Sequence, residues 1–503
     1  MAYVRTVRTA SGATAVQIVY SMRRGSRRIE HLGSGHDEAE VEALKAAARQ
    51  RLAEGQAVLD VDVDGAGSAG PARIMSSRAG HLWDALERAY DSLGLDKAAG
   101  SDPVFRDLVL ARIVEPTSKF DSLRVLAEVG VPAVSYATVK RRLPAYAEAS
   151  WRAELAKACA AHAALGPASL VLYDVSTLYF ETHQGDGFRE PGFSKERRLE
   201  PQITIGLLTD ATGFPLALEA FEGNKAETLT MLPTIKAFMT AHHLADVTVV
   251  ADAGMVSEAN RNAIEDAGLS FIIGARIPQV PYQVLAWRKA HTSADGVVED
   301  IPDGHVFTQP WPATDKQRAG GRRDKVTYYR YAADSARRSL RGIDTQVAKA
   351  EQAVAGKTAI KRNRFVKLAG GDRSVNRDLE AKARALAGLK GYVTNLTNPS
   401  PEFVIGAYHQ LWHIEKSFRM SKHDLRARPI YHHKREPIDA HLTVVFAALA
   451  VTRFIEDRTG WSIKKFVRTA RRCRTVRIST GRHELTAEDP LPADLRDALA
   501  TIS

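Results

Sequence analysis

The chain has 503 residues, enough for about two to four domains and a large buried core. Lysine and arginine total 70 against 59 aspartate and glutamate, and the resulting formal charge of +11 favours a polyanionic partner over an acidic one. Cys159 and Cys473 are the only cysteines, which excludes a disulfide framework and a cysteine-built zinc site. No apolar run approaches the length of a membrane span, and the opening MAYVRTVRTASG lacks the apolar stretch of a signal peptide. A cytoplasmic, nucleoid-associated protein with no membrane partner is expected.

Residues 2 to 32 alternate as strands do, with Ser11-Gly12 and Gly25 as turns, and a helix follows from about His36 to Ala53. This β-β-β-α unit, residues 1–63, carries Arg5, Arg8, Arg23, Arg24, Arg27 and Arg28. It reads equally as a small DNA-binding unit or as a basic structural cap or dimerisation unit. Asp64 to Ala72, DGAGSAGPA, is a linker by composition.

Residues 77–150 are helical in pattern. Asp121 to Val129 and Ser135 to Leu143, joined by VGVP, have the form of a helix-turn-helix with Ser135 as cap of the second helix. Lys140, Arg141 and Arg142 on that helix either reach DNA in a major groove or face water.

An α/β core begins near Gly166. LVLYD, Leu170 to Asp174, and VTVVAD, Val247 to Asp252, are apolar, β-branched runs that each end in an aspartate. Between them, Glu200 to Leu208 and Phe214 to Glu222 are strands about the Asp210 to Gly213 turn, and Ala226 to Ala241 is helical. The order β-β-β-α-β brings the Asp252 strand back beside the Asp174 strand, so both carboxylates meet at the carboxyl edge of one sheet. An ionised carboxylate at a core's edge is costly without a partner, and a metal ion removes that cost.

The interval from Asp252 to Glu415 far exceeds one crossover, so an insertion is expected at residues 277–389. It contains Trp287, Trp311, the basic loop Lys316 to Lys325, a strand from Val326 to Ala332 and a charged helical stretch from Ala333 to Ala387. The core then resumes over residues 390–455. Tyr408 to Lys422, YHQLWHIEKSFRMSK, separates its rows as an amphipathic helix does. Tyr408, Glu415 and Lys422 align to within about 20° per heptad with Arg419 beside them, while Leu411, Ile414, Phe418 and Leu425 form the apolar row. Ala440 to Phe454 is a buried helix, and residues 456–503 form a basic region holding Lys464, Lys465, Arg468, Arg471, Arg472, Arg474 and Arg477.

The order strand-Asp, strand-Asp, helix-Glu, with Tyr-x(6)-Glu-x(6)-Lys around the glutamate, resembles insertion-sequence transposases of the DDE class. Within that class it is most similar to the IS-four superfamily, with its Tyr, Arg, Glu, Lys signature, and to members reading LW-x-IE-x-x-FR-x-x-K. Matching stretches are DVSTLYFE from Asp174, FEGNKAET from Phe221, ADAGMVS from Ala251, GYVTNLTN from Gly391 and RPIYHH from Arg428. They span about residues 80 to 455. Leu411 stands at the signature arginine position, with Arg419 the available substitute.

The resemblance implies an RNase H-like catalytic core, a mixed sheet flanked by helices and interrupted by the insertion, with N-terminal DNA-binding domains. It implies that Asp174, Asp252 and Glu415 hold two Mg²⁺ or Mn²⁺ ions, and that Tyr408, Arg419 and Lys422 contact DNA. The substrates would be double-stranded terminal inverted repeats and target DNA, engaged by a homodimer in the synaptic complex. Zinc chemistry at His409 and His413 is disfavoured because both lie about 120° or more from the Glu415 row and no HExxH accompanies them. A nuclease that cuts without joining and an inactive DNA-binding relic are the other readings.

Overall fold

The computed structural model describes residues 2–8, 13–21, 27–35, 38–53, 73–166, 169–182, 184–192, 199–226, 229–244, 246–254, 258–296, 298–358, 363–369, 372–428, 430, 432, 434–479 and 483–502. The chain divides into two compact units, Met1–Gly70 and Pro71–Ser503. The linker stretch from Asp64 to Ala72 lies outside the described residues, as do Arg23 and Arg24 and the side chains of Arg27 and Arg28.

In the first unit, β1 (Ala2–Arg8), β2 (Thr14–Ser21) and β3 (Arg27–Gly35) form an antiparallel sheet covered by α1 (Glu38–Ala53). Val16 and Ile18 of the central strand and Ala48 of the helix are buried together, the one-sided burial that the sequence alternation requires. Arg5 and Arg8 are exposed.

The second unit opens with β4 (Arg73–Arg78) and a helical layer: α2 (Gly80–Ser92), α3 (Leu95–Ala98), α4 (Pro103–Val114), α5 (Asp121–Val129), α6 (Tyr136–Ala147) and α7 (Ala149–Ala163). Asp102 caps α4 by accepting the Val104 and Phe105 amides, with Pro103 in the first turn where no amide is needed. Ser135 caps α6 as expected, accepting from the Thr138 amide at 3.2 Å. The two helices of the expected helix-turn-helix have different main neighbours: α5 packs on α4 and β4, whereas α6 packs on a long C-terminal helix.

The core follows as β5 (Ser169–Tyr179), β6 (Gln202–Asp210), β7 (Pro215–Glu222), α8 (Met231–Ala241), β8 (Val247–Ala251), α9 (Glu258–Asp266) and β9 (Ser270–Ala275). Then come α10 (Tyr282–Ala290), β10 (Val306–Trp311), α11 (Asp315–Ala319), β11 (Lys325–Tyr331), α12 (Ala333–Val354), β12 (Val366–Ala369), β13 (Asp372–Val375), α13 (Arg377–Ala385) and β14 (Leu389–Thr394). The chain finishes with α14 (Pro401–His409), α15 (Leu411–Arg419), α16 (Arg435–Thr459), α17 (Ile463–Ala470), β15 (Thr475–Ser479), β16 (Glu484–Glu488) and α18 (Ala493–Ala500).

Among the described residues the main sheet has the order β10-β11-β14-β9-β8-β5-β6-β7. The strands β5, β6 and β7 run antiparallel, while β8 and β9 run parallel to β5. Its central strands read as continuous apolar runs because helices cover both faces: all five residues of β8 are buried.

The expected insertion is not set apart. Its strands β10 and β11 extend the main sheet through β14, with Val284, Ile301, Phe307 and Tyr329 packed beneath them. The charged stretch from Ala333 to Ala387 is not one helix either. The hairpin β12-β13 separates α12 from α13, and Phe365 before it plugs into Ile343, Val347 and Ala350 of α12. The basic C-terminal region is likewise integrated, since β15 joins β4 to β16.

Helix α16 holds this unit together. It is 25 residues long, and by length and composition alone it could cross a membrane, which corrects the reading of this apolar run as too short; 94% of its most apolar window is buried inside the protein. The sheet strand β7 and helices α2, α4, α6, α7, α17 and α18 all pack on it. His441 within it is buried and donates from Nε2 to the Ala427 carbonyl at 3.0 Å.

Two outcomes follow for unfolding experiments. Leu449→Ala, at a site with no exposure, should cost about 2–5 kcal/mol in urea unfolding. His441 is held well below its ordinary pKa of 6.5 by burial first and then by Arg112 and Lys119, and His162, His242, His409 and His413 shift the same way, each chiefly through burial. The unfolded chain therefore binds protons that the folded chain refuses, and stability falls as pH drops below 6.5. His441→Gln should flatten the slope of unfolding free energy against pH in that window by up to about 1.4 kcal/mol per pH unit. An unchanged slope would remove His441 as a contributor.

Candidate active site

Strand β5 buries Val171, Leu172 and Tyr173 and then presents Asp174, half-exposed, at its midpoint; the strand does not end at this aspartate as expected but runs on to Tyr179, because β6 pairs with it along its whole second half. Its parallel partner β8 is registered Leu172 to Val250, so two residues further along each chain Asp174 stands level with Asp252. Adjacent strands lie about 4.8 Å apart, so continuing this register by two residues brings the backbones of Asp174 and Asp252 side by side. Asp252 is exposed just beyond the last residue of β8.

Tyr408 reaches over from α14. Its hydroxyl donates to Asp252 Oδ1 at 2.7 Å, and burial, followed by this carboxylate, pushes the phenol pKa up, so it stays a donor. The approach depends on Gly274 of β9, where a Cβ would sit 2.7 Å from the Tyr408 hydroxyl oxygen. Glu415, exposed on α15, is close enough to Tyr408 to act on its phenol electrostatically.

The expected single helix from Tyr408 to Lys422 is broken into three pieces. At Gln410 the chain tightens, with the Gln410 amide donating to Ala407 O and the His413 amide to Gln410 O, a three-residue spacing that separates α14 from α15. A π-helical turn, Met420–Asp424, follows. The straight Tyr408-Glu415-Lys422 row is therefore lost, and the pieces are aimed separately: α14 over β8, β9 and β14, α15 over β5 and β6. The apolar row survives, with Ile414, Phe418 and Leu425 buried and Leu411 packed at its edge.

Side chains that the sequence did not single out set the height of α15. Ser417, fully buried, donates from Oγ to the Gly213 carbonyl at 2.6 Å. Gly213 has φ +86°, and a Cβ there would meet the His413 carbonyl oxygen at 2.8 Å, so the β6-β7 turn and the helix touch backbone to backbone. Behind them Lys416 pairs with Glu456 of α16 at 2.6 Å, and Arg453, 2% exposed, donates to the Thr212 carbonyl at 2.5 Å. The available signal was a serine inside an otherwise apolar helical row.

Lys422 lies half-buried on the π-turn, facing a small apolar cleft shared with Ser176 and Leu178, just beyond Asp174 on β5. Arg419 is exposed at the end of α15. Lys140, Arg141 and Arg142 are exposed on α6, away from this group: the Lys140 ammonium sits over the Tyr136 ring, Arg141 donates to Thr138 Oγ1, and Arg142 pairs with Asp102 at 3.5 Å. Trp287 is stacked on His291 and Trp311 donates from Nε1 to Thr327, so each has an internal partner. His409 neighbours Tyr392, and His413 lies against Trp412.

The donor set is three hard oxygen ligands, the kind that Mg²⁺ and Mn²⁺ select. Among the described residues no three acidic, histidine or cysteine side chains converge as a group that could hold a metal ion.

Residues 165–451, more than half of the chain, match the family model described as transposase DDE domain, and the match contains Asp174, Asp252 and Glu415. The chain belongs to the DDE transposase family. Among solved structures, the cryo-EM structure of a piggyBac transposase synaptic complex with hairpin DNA is similar at 10% identity and a TM-score of 0.37, covering 77% of this chain and 76% of that one. No curated protein matches the chain.

Docking of α15 is open to direct measurement. Gly213→Ala should lower stability by about 1–3 kcal/mol because it forces both a left-handed residue and a backbone clash. Ser417→Ala should cost about 1–3 kcal/mol by leaving a buried carbonyl without its donor. Urea midpoints equal to wild type for both would refute the docking.

Proposed function

We propose that the chain is an insertion-sequence transposase of the IS-four type that binds the terminal inverted repeats of its element, cleaves the ends and transfers the freed 3′-hydroxyls to target DNA. The observation that carries this reading is the family match over residues 165–451, supported by a β5-β8 register that, continued two residues past Leu172 and Val250, would bring Asp174 beside Asp252. The antiparallel β5-β6-β7 followed by parallel β8 and β9 supports an RNase H-like core. The excess of basic residues supports a DNA partner, acted on in the cytoplasm.

Asp174, Asp252 and Glu415 would hold two Mg²⁺ or Mn²⁺ ions, which when bound activate an attacking hydroxyl and stabilise the departing 3′ oxygen. The chain's own residues orient that site. The Tyr408 hydroxyl fixes one oxygen of Asp252 and leaves the other for a ligand. The contacts of Ser417 and Gly213 hold α15, and with it Glu415, against the sheet. Lys422, a compact positive charge on the turn after α15, would hold a phosphate beyond Asp174, with exposed Arg419 on the same helix face as Glu415. Two ends synapsed by a homodimer would bring two such sites together.

The test is incubation of purified protein with labelled duplex carrying the terminal repeats and a target plasmid, with Mg²⁺ or with EDTA. Metal-dependent cleavage and joining should fall about a hundredfold or more in Asp174→Ala, Asp252→Ala and Glu415→Ala while DNA binding persists. Full activity in any of the three removes that residue from the site. Cleavage without joining replaces the reading by a nuclease, and specific binding without chemistry under any divalent ion replaces it by a non-catalytic DNA-binding protein.

A further inference from the structure

A second group of buried polar residues lies where α4, the 116–120 loop, α16 and the segment after the π-turn meet. They line a cavity of about 410 Å³ that opens at the surface beside Phe120 and Tyr136. Lys119 is only 7% exposed, yet no carboxylate is paired with it among the described residues; its Nζ lies 2.7 Å from His432 Nε2. Arg112, also buried, spends its guanidinium on the carbonyls of Leu425, Arg426 and Thr117. His441 stands in the same wall.

The one carboxylate lining the cavity among the described residues, Asp121, accepts hydrogen bonds from the hydroxyls of Thr117 and Ser118. Among the described residues the wall sets Arg112, Lys119 and Arg426 against the one carboxylate of Asp121, an excess of positive charge, and burial together with Arg112 pulls the Lys119 pKa down to about 7. Buried cations are ordinarily paired, so the missing partner is an anion.

The rim says which anion. Phe120 is 62% exposed, held edge-on to Tyr136 at 5.2 Å, and the Lys140 ammonium covers that tyrosine at 4.9 Å. An exposed aromatic face above a cationic cavity suits a nucleotide, whose base stacks while its phosphate descends. The lining also continues. Pro116 and Arg426 belong both to this cavity and to a neighbouring cleft of about 510 Å³ in which Lys464 is paired with Asp424 while Arg468 and Arg472 carry further positive charge, so the basic surface runs on toward α17. A strand fits that continuity better than a free nucleotide does.

We propose that this cavity is a DNA-strand subsite separate from the carboxylate group, in which one backbone phosphate is received by Lys119 and Arg426 and the attached base stacks on Phe120. The proposal rests on the reading of the chain as a DNA-binding transposase. Protonated Lys119 is the form that receives the phosphate, with Arg112, Arg426, Asp121, His432 and His441 the charged and titratable groups around it.

The test is metal-free binding by the full chain in EDTA, read by fluorescence anisotropy of labelled terminal-repeat duplex, the same duplex with an unpaired overhang, and a single strand, across a salt series. Lys119→Met should weaken binding about tenfold or more and lower the slope of log affinity against log salt by about one. Lys236→Met, which removes an exposed charge on α8, should bind as wild type. The free Lys119→Met protein should melt no lower than wild type, because a methionine fills the space without a buried unpaired charge. Phe120→Ala, at an exposed position, should weaken the overhang and single strand by about tenfold, and it carries the test if Lys119→Met does not fold.

Lys119→Met and Phe120→Ala that bind DNA as wild type would overturn the proposal, and a lowered melting temperature with unchanged affinity would make Lys119 a structural residue. Inorganic phosphate or dAMP that stabilises wild type but not Lys119→Met, with equal DNA affinity in both, would assign the cavity to a free nucleotide instead. Wild-type protein that binds no DNA would instead sink the transposase reading, leaving the phosphate response to judge the cavity by itself.

Discussion

Helix α16 is apolar on every side, and a helix of that kind has to be covered all round. The cover is drawn from both ends of the chain. Helices α2, α4 and α6 come from before the sheet, β7 from within it, and α17 and α18 from after it. This requirement explains why the helical layer and the basic C-terminal region are not separate bodies. Once α16 is inserted among them, strand β15 has only β4 to pair with on that side, and residues hundreds of positions apart become one sheet.

The same helix supports the candidate active site from behind. Glu456, nearly buried, is engaged by Lys416 of α15 and accepts the Ile463 amide at the start of α17. Arg453, one turn earlier, reaches the β6-β7 turn at Thr212, beside the glycine on which α15 rests. A carboxylate exposed on a helix surface is thus positioned by buried contacts on the helix's opposite face. Glu415 is exposed, whereas Lys416 and Ser417 beside it are tied to buried partners.

Two different solutions to buried charge sit in this unit. Around Glu456 the acid has basic partners and an amide, so the group is internally satisfied. Around Lys119 and Arg112 the satisfaction comes from carbonyl dipoles and an imidazole, and net positive charge is left facing a cavity. The first arrangement fixes a structure. The second leaves electrostatic work for something from outside.

Local chemistry made much of this protein legible in its sequence. Alternation gave the three N-terminal strands, Ser135 opened its helix as a cap, and the β-branched runs leading to Asp174 and Asp252 were strands because such runs fit a buried sheet, although β5 runs on past Asp174 to Tyr179. The parallel pairing of β5 with β8 followed from the order of elements and the rule for crossovers. Tertiary structure alone decided the break at Gln410 and the π-turn after Arg419. Helical periodicity assumes one straight axis, whereas the chain here must follow the twist of the sheet from β9 across to β5. It also decided that β10 and β11 extend the main sheet, that α6 lies along α16, and that Lys119 and Arg112 face one cavity. These are pairings across long sequence separations, set by which surfaces remain to be covered once the core has formed, and a local pattern of residues carries no record of them.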